Sequence, residues 1–279
     1  TYGVNDITDP NVFAASFSAA VDALTANGAK GVVTNVPYIT SLAHFTTVPY
    51  NPVPLDAGTA AVVNNAYAAY NAGVAQAFAY LVGIGAVSQA DADVEIAKRT
   101  IMFEASESNA VVIMDEDLTD LTAINPQLVS MRQATADDLL VLPASSFIGT
   151  EAVPGNPLTV NGVAIPLADK WVLTPEEQQA IKTATDAYNV TIESVANANG
   201  LAMVDFKSIL IEASTTGIAS GNYILNTSLV TGGLISLDGV HLTSRGYAVM
   251  ANEMMRAIDA TYGSNFEASG NFVDCGDYP

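Results

Sequence analysis

The sequence predicts an α/β protein built on a parallel sheet with helices on its faces. A helix followed by a strand in residues 9–36 is the first observation, and the same pair in residues 174–205 is the second. A helix that leads into a short, apolar, β-branched strand is the repeating unit of such a sheet. With 279 residues, 50% of them hydrophobic, the chain can build one large core, or a core with a sizeable insertion.

The first helix–strand unit has clear boundary signals. Asp9 is placed at the N-cap of the helix, and Pro10 occupies the first helical position. Apolar side chains then recur at helical spacing: Phe13, Phe17, Ala20, Val21 and Leu24. Gly28 ends the helix, and residues 31–36 are predicted to form a short buried strand.

The middle of the chain, about residues 38–170, breaks this alternation and is predicted to be a large insertion. A proline-containing loop precedes a long Ala-rich helix over residues 58–84. Two hairpins are expected after it. One pairs residues 100–104 with residues 110–114, and the other turns at Asn161-Gly162.

The uncharged stretch of residues 57–87 is long enough to raise the question of a membrane span. It contains Asn64, Asn65 and Asn71, and no Lys or Arg flanks it. These features favour a packed helix, or a helix that covers a substrate site, over a spanning helix.

Regular structure returns near residue 173. A helix over residues 175–199 is capped by Thr174 and opened by acidic residues, and a buried strand over residues 201–205 follows it. A loop rich in Gly, Ser and Thr leads to a final helix over about residues 244–260. Residues 264–279 are predicted to form a polar C-terminal tail.

Charge and cysteine content exclude several classes of function. The chain has 29 acidic and 9 basic residues, a formal charge of −20, so its field repels nucleic acids and anionic membrane surfaces. No nucleic-acid partner is expected. The single cysteine, Cys275, allows neither an intrachain disulfide nor a cysteine-based metal cluster. The acidic, Lys-poor composition favours an extracytoplasmic bacterial protein, either secreted or a cell-surface lipoprotein.

The chemistry of the chain is concentrated in the segment Asp238-Gly-Val-His241. A carboxylate held against one nitrogen of an imidazole fixes the tautomer and stabilises the imidazolium. The other nitrogen can then take a proton from a serine hydroxyl. The alternative is that His241 only caps or packs beneath the last helix. The other histidine, His44, is interpreted as a structural residue, with substrate contact as the alternative.

Residues 173–262, with this Asp-x-x-His segment, resemble the SGNH, or GDSL-type, hydrolase family, and residues 9–36 resemble it more loosely. The resemblance implies that Asp238 is the triad acid and His241 the triad base. It also implies a three-layer α/β/α flavodoxin-like sheet, with residues 1–263 as a partial SGNH domain that contains the insertion. The expected substrate is an ester of an acyl chain or of an acetylated carbohydrate, with no cofactor and no metal. Leu242 replaces the family's usual proline, a change expected to affect loop rigidity more than chemistry.

The family's nucleophile block, Gly-Asp-Ser-Leu or Gly-x-Ser-Leu, does not occur in the sequence. Ser145-Ser146 follows an apolar segment, but it lacks the flanking Gly and Asp and stands at the wrong place in chain order. The nucleophilic serine is therefore expected upstream of Thr1. It would belong to a longer precursor or to an N-terminal fragment that stays bound to this chain.

Gly3-Val-Asn-Asp6 matches the family's Gly-x-Asn-Asp block, whose asparagine donates to the oxyanion hole. The resemblance makes Gly3 and Asn5 candidate oxyanion residues. The block should follow an apolar strand, however, and only Thr1 and Tyr2 precede it. A loop asparagine without a catalytic part is the alternative.

The sequence leaves two functions open. The chain is either part of a serine esterase or a surface-exposed accessory lipoprotein that keeps an SGNH-like fold without turnover. The acidic run Asp115-Glu-Asp117 with Asp120 is interpreted as a solvated turn, with a Ca²⁺ site made of oxygen ligands as the alternative. An EF-hand loop does not fit, because it would need Gly at the sixth position and Glu at the twelfth.

Overall fold

The computed structural model describes residues 7–278, which form a mixed α/β protein with a small parallel sheet. The helices are α1 (Pro10–Thr25), α2 (Ala43–Thr46), α3 (Ala57–Gly83), α4 (Gln89–Arg99), α5 (Pro175–Ala198), α6 (Phe206–Thr215) and α7 (Ser244–Tyr262). The strands are β1 (Val32–Thr34), β2 (Val53–Leu55), β3 (Ser106–Asn109), β4 (Val112–Met114), β5 (Met131–Gln133), β6 (Leu139–Leu140), β7 (Val172–Leu173), β8 (Ala202–Val204), β9 (Ile218–Ser220) and β10 (Tyr223–Leu225).

The described residues divide into two compact units. Residues 48–177 form one, called here the insertion unit. Residues 7–47 and 178–278 form the other, called here the sheet unit. The division falls at residues 48 and 177, whereas the sequence places the ends of the insertion at about 38 and 170.

The sheet unit is built on a parallel pair of strands, β1 and β8, in which Val33 lies opposite Met203. These two side chains pack with α1 and α5 around Val21 and Ala196. Thr34 lines a cavity that α7 also lines. Because successive side chains of a strand point to opposite faces, helices lie on both faces of the pair. The α/β prediction is confirmed in this form.

The elements predicted around this pair are confirmed, and local signals explain their ends. The carboxylate of Asp9 accepts hydrogen bonds from the first backbone amides of α1. Thr174 and Glu177 cap α5 reciprocally, an arrangement that satisfies two otherwise unpaired backbone donors. Thr243 caps α7, and Gly263 ends it in the left-handed conformation.

Residues 264–278, predicted as a polar tail, pack on the sheet unit instead. The side chain of Asn252 on α7 exchanges two hydrogen bonds with the backbone of Val273, both 2.9 Å long. Cys275 is fully buried in an apolar cluster with residues of α6 and α7, and its Sγ donates to the carbonyl oxygen of Ser220. The cysteine is therefore a core residue of this unit.

The insertion unit contains three antiparallel strand pairs, β2–β3, β4–β5 and β6–β7. The hairpin predicted between residues 100–104 and 110–114 is wrong, because β3 pairs with β2 and β4 pairs with β5. The side chain of Asn109 holds β3 there, since its amide donates to the carbonyl oxygen of Val53.

The hairpin predicted at Asn161-Gly162 is also wrong. Residues 160–165 form a tight turn in which the carbonyl oxygen of Val160 accepts three backbone hydrogen bonds.

Helix α3 is the centre of the insertion unit. Its buried side chains recur every three or four residues and form one stripe: Ala60, Val63, Tyr67, Tyr70, Val74, Ala77 and Phe78. Asn64 and Asn71, seven positions apart, each exchange two hydrogen bonds with a backbone segment, at Phe103 and at Ile101 respectively. The uncharged helix is thus packed along one face into the core of the insertion unit. None of the helices within residues 7–278 combines the length and the apolar character that a membrane span needs.

We expect Asn71→Ala to destabilise the insertion unit by about 2 kcal/mol, because it leaves a backbone donor and a backbone acceptor at Ile101 without their partner. Asn65→Ala is the matched control, since Asn65 lies on the exposed face of the same helix. Urea unfolding of the two variants measures the difference. Equal stabilities would show that the amide of Asn71 contributes nothing to the packing of α3.

Candidate functional site

The Asp238–His241 pair predicted from the sequence is formed in the structure. Nδ1 of His241 lies 2.6 Å from Oδ2 of Asp238. The His241 side chain is 72% exposed and that of Asp238 is 50% exposed. The second ring nitrogen, Nε2, lies on the side of the ring away from the carboxylate. The imidazole is therefore held by the acid and open to a reacting group.

The other oxygen of the carboxylate fixes the loop. Oδ1 of Asp238 accepts hydrogen bonds from the backbone amides of Val240 and His241, at 2.9 and 3.0 Å, which is an Asx turn. It also accepts the hydroxyl of Ser236 at 2.7 Å. The bond to the His241 ring, helped by these three donors, holds the pKa of the Asp238 carboxyl well below its usual range. These bonds therefore favour the ionised form of Asp238, which is the form that accepts a hydrogen bond from the His241 ring.

Ser236 is a site residue that the sequence interpretation missed. Its hydroxyl donates to the carboxylate and so limits the rotation of the acid. The signal was available, since a serine two residues before an aspartate that starts a turn can reach its side chain. Because this hydroxyl is engaged by Asp238, Ser236 acts as a positioning residue for the acid.

His44 supports the loop from behind, which agrees with the structural interpretation of this residue. It is buried, with 7% of its surface exposed. Its Nδ1 lies 3.2 Å from the carbonyl oxygen of Asp238, and its backbone amide donates to the carbonyl oxygen of Gly239 at 3.0 Å. Gly239 has a φ of +75°, and a Cβ at this position would lie 2.5 Å from the backbone nitrogen of His44. Only glycine fits there.

The loop is joined to the rest of the sheet unit on both sides. The backbone amide of Ser236 donates to the carbonyl oxygen of His241 and closes the turn at its base. Thr243 then caps α7 through the amide of Gly246, and its hydroxyl donates to the carbonyl oxygen of Gly233. Leu242 forms a backbone bridge with Ile235. The dyad is thus positioned by the start of α7.

An apolar cavity of about 260 Å³ lies beside the dyad loop. Val240, which stands between the two dyad residues, lines it, and so do Thr34 and Asn35 at the carboxyl end of β1. The remaining wall is mostly aliphatic and includes Leu42, Phe206, Ile209, Leu234, Leu242 and Met250. The dyad therefore lies near the carboxyl end of the parallel pair, where open α/β sheets place their ligands.

The described residues do not complete a triad. Within residues 7–278, no hydroxyl group is hydrogen-bonded to Nε2 of His241. The hydroxyls of Ser145 and Ser146 donate to carbonyl oxygens of their own turn, those of Leu142 and Pro143. The candidate oxyanion residues, Gly3 and Asn5, lie outside the residues that the structure describes.

A second polar cluster of the sheet unit surrounds Tyr38 and was not anticipated from the sequence. Asp186 accepts hydrogen bonds from the hydroxyl of Tyr38 and from the ammonium groups of Lys182 and Lys207. These bonds hold the pKa of the Asp186 carboxyl well below its usual range. Since its four members satisfy one another at the surface, this cluster is interpreted as structural.

The acidic run of the insertion unit is only partly the solvated turn that the sequence predicts. Asp115 is buried and forms an ion pair with Arg132. The guanidinium also binds both carboxylate oxygens of Asp138 at 2.7 Å. Asp120 is exposed, as expected, and accepts hydrogen bonds from Thr122. The buried end of the run thus belongs to an internal ion-pair network.

Comparisons with family models, with curated proteins and with solved structures returned no match. The geometry of the residues is therefore the basis for the functional proposals that follow.

We expect Gly239→Ala to destabilise the sheet unit by about 2–4 kcal/mol, since it combines an unfavourable φ with a clash against the backbone of His44. Gly270→Ala is the matched control. Gly270 has the same φ of +75° but open space around the added methyl group, so only the conformational cost of about 1 kcal/mol applies. Thermal unfolding compares the two, and equal losses would show that the contact between the loop and His44 is not close.

Proposed function

We propose that this chain is the dyad-bearing part of a serine esterase or acylhydrolase of the SGNH type. One observation carries the proposal, namely the 2.6 Å contact between Nδ1 of His241 and the Asp238 carboxylate on an exposed loop. A histidine bound in this way presents Nε2 as a base, which is the function that a serine nucleophile requires.

In the proposed reaction His241 moves a proton twice. Its Nε2 takes the proton of a serine hydroxyl while the serine oxygen attacks the ester carbonyl, and the tetrahedral intermediate forms. His241 then gives that proton to the leaving alcohol, and an acyl-serine remains. Water, activated by the same nitrogen, hydrolyses the acyl-serine. Asp238 keeps the ring in the required tautomer and stabilises the imidazolium, while Ser236 and the turn amides keep the acid ionised and in place.

The arrangement of the sheet unit supports the finer fold assignment, a three-layer flavodoxin-like sheet. In chain order it runs helix α1, strand β1, the short helix α2, helix α5, strand β8, helix α6, the antiparallel pair β9–β10, a loop and helix α7, with the insertion unit between α2 and α5. The parallel pairing of β1 with β8 and the helices on both faces agree with this assignment.

The nucleophilic serine is proposed to come from a segment upstream of Thr1. Within residues 7–278, β1 is paired along one edge only, so its other edge offers backbone groups to a further strand. Such a strand would end at the same edge of the sheet as β1. Asn5, with Gly3, is proposed to donate to the oxyanion, a contribution whose loss typically costs about 10²–10³-fold in turnover.

The apolar cavity beside Val240 favours the acyl side of the ester as the group bound near the dyad, since its aliphatic wall offers few hydrogen bonds. An acyl ester or an acetylated carbohydrate is the proposed substrate.

An extracytoplasmic location, secreted or as a cell-surface lipoprotein, is proposed from the acidic composition.

The second candidate function is that of a non-catalytic accessory lipoprotein with an SGNH-like fold. The observation in its favour is that no hydroxyl among the described residues reaches Nε2 of His241. The two candidates differ in one respect that can be measured, which is the presence of an activated serine in the protein produced from its whole gene.

The test compares the 279-residue chain with the protein expressed together with any upstream codons. We expect the chain alone to be inactive, or nearly so, and the longer protein to hydrolyse short-chain p-nitrophenyl esters. His241→Ala should reduce that turnover by at least about 10³-fold, because the serine loses its base. Asp22→Asn, which changes an exposed aspartate on α1, is the control and should retain full activity.

Turnover that survives His241→Ala would exclude the dyad from the reaction. A longer protein that neither hydrolyses esters nor reacts with a fluorophosphonate probe would favour the accessory function instead.

A further inference from the structure

Three carboxylates of the insertion unit converge at one point, independently of the proposed hydrolase site. One oxygen each from Glu116, Asp169 and Glu177 lies within 4.8 Å of the other two. Glu116 is exposed, Asp169 is half-buried and Glu177 is buried. Like charges at such distances repel unless a cation or a proton offsets them.

Backbone pairing brings the first two carboxylates together. The amide of Met114 in β4 donates to the carbonyl oxygen of Leu167, and the amide of Leu167 donates to that of Val112. The chain after Leu167 therefore runs beside the chain after β4, and Asp169 comes close to Glu116. The buried ion pair of Asp115 with Arg132 fixes the start of the turn on which Glu116 stands.

Glu177 is placed by the cap of α5. Its Oε2 accepts two hydrogen bonds from Thr174, one from the backbone amide at 2.9 Å and one from the hydroxyl at 3.2 Å. Only 2% of the residue's surface is exposed. Its other oxygen, Oε1, is buried and has no hydrogen-bond partner among the described residues. A buried carboxylate oxygen without a donor is costly unless a ligand satisfies it.

The electrostatics of the cluster also favour a cation. Burial, together with the charges of Asp169 and Glu116, raises the pKa of the Glu177 carboxyl to about 7. Burial and the neighbouring acids raise the pKa of Glu116 as well. Within residues 7–278, no Lys, Arg or His forms an ion pair with any of the three carboxylates.

One interaction opposes a cation here, since the N-terminus of α5 carries about half a positive charge. The three carboxylates carry up to three negative charges and so outweigh it. Their oxygens are hard ligands, which bind Ca²⁺ or Mg²⁺ in preference to softer metals.

We propose that Glu116, Asp169 and Glu177 form a Ca²⁺ site in the insertion unit, with Oε1 of Glu177 as its buried ligand. The number of protein carboxylates favours Ca²⁺ over Mg²⁺, because Mg²⁺ usually keeps several waters and is bound through only one or two carboxylates. The ion joins the turn after β4, the segment before β7 and the first turn of α5.

Isothermal titration calorimetry of the EDTA-treated 279-residue chain with CaCl₂ tests the proposal. We expect one saturable site with a Kd of about 10⁻⁵–10⁻³ M, and binding of Mg²⁺ that is at least about tenfold weaker. Glu177→Gln and Asp169→Asn should each weaken Ca²⁺ binding by at least about tenfold, because each removes a charged ligand. Gln at position 177 can still complete the cap of α5.

Glu107→Gln is the control for the lost charge, since Glu107 is an exposed acid of β3 in the same unit, and it should bind Ca²⁺ as the parent chain does. Circular dichroism without metal identifies a variant that fails to fold. If Glu177→Gln does not fold, the Ca²⁺ affinity of Asp169→Asn tests the proposal in its place, because Asp169 caps no helix.

No saturable binding up to about 10 mM CaCl₂ would overturn the proposal, since it exceeds the weakest affinities of protein Ca²⁺ sites. Unchanged affinity in both folded variants would also overturn it, because the ion would then bind elsewhere. Equal affinity for Mg²⁺ would contradict the assignment of Ca²⁺. Esterase activity enters none of these results, so the site and the proposed hydrolase function can fail separately.

Discussion

The contact between the imidazole of His241 and the carboxylate of Asp238 is the interaction on which the functional account depends. Two groups only three residues apart meet because the carboxylate folds back on its own turn, where it also binds two backbone amides and the hydroxyl of Ser236. The acid therefore orients the ring and orders the loop with the same four hydrogen bonds. Ring orientation and loop conformation cannot change independently.

The contacts around the loop determine which side of the His241 ring is exposed to solvent. His44 closes the loop from behind, so that the ring of His241 is left on the open side. The start of α7 holds the loop from the other end through Thr243. These contacts lie within one compact unit, next to an apolar cavity at the carboxyl end of a parallel strand pair. The insertion unit has its own core around α3. It also carries the cluster of Glu116, Asp169 and Glu177, which is separate from the dyad loop.

Much of the sheet unit was predictable because its signals are local. Three helix starts are marked by capping hydrogen bonds that span fewer than four residues, and each helix begins where expected. The capping residues are Asp9 (followed by Pro10), Thr174 with Glu177, and Thr243. The dyad was predictable for the same reason, since its acid and base lie on one turn. Ser236 was missed although it is equally local, because a hydroxyl that serves only a carboxylate resembles any loop serine.

The insertion unit was harder to predict because its pairing is long-range. The residues of β3 pair with residues of β2 that lie 51 and 56 positions earlier, and the hydrogen bond from Asn109 to Val53 that favours this pairing also spans 56 positions. The cluster at Glu177 likewise joins residues up to 61 positions apart.

The most direct test of the account is the tautomer of His241, read from ¹⁵N chemical shifts of the 279-residue chain. If Asp238 holds the ring, the neutral imidazole carries its proton on Nδ1 and leaves Nε2 bare, and Asp238→Asn abolishes this preference. A neutral ring that is protonated mainly on Nε2 would contradict the account, because that nitrogen could not accept a proton from a serine.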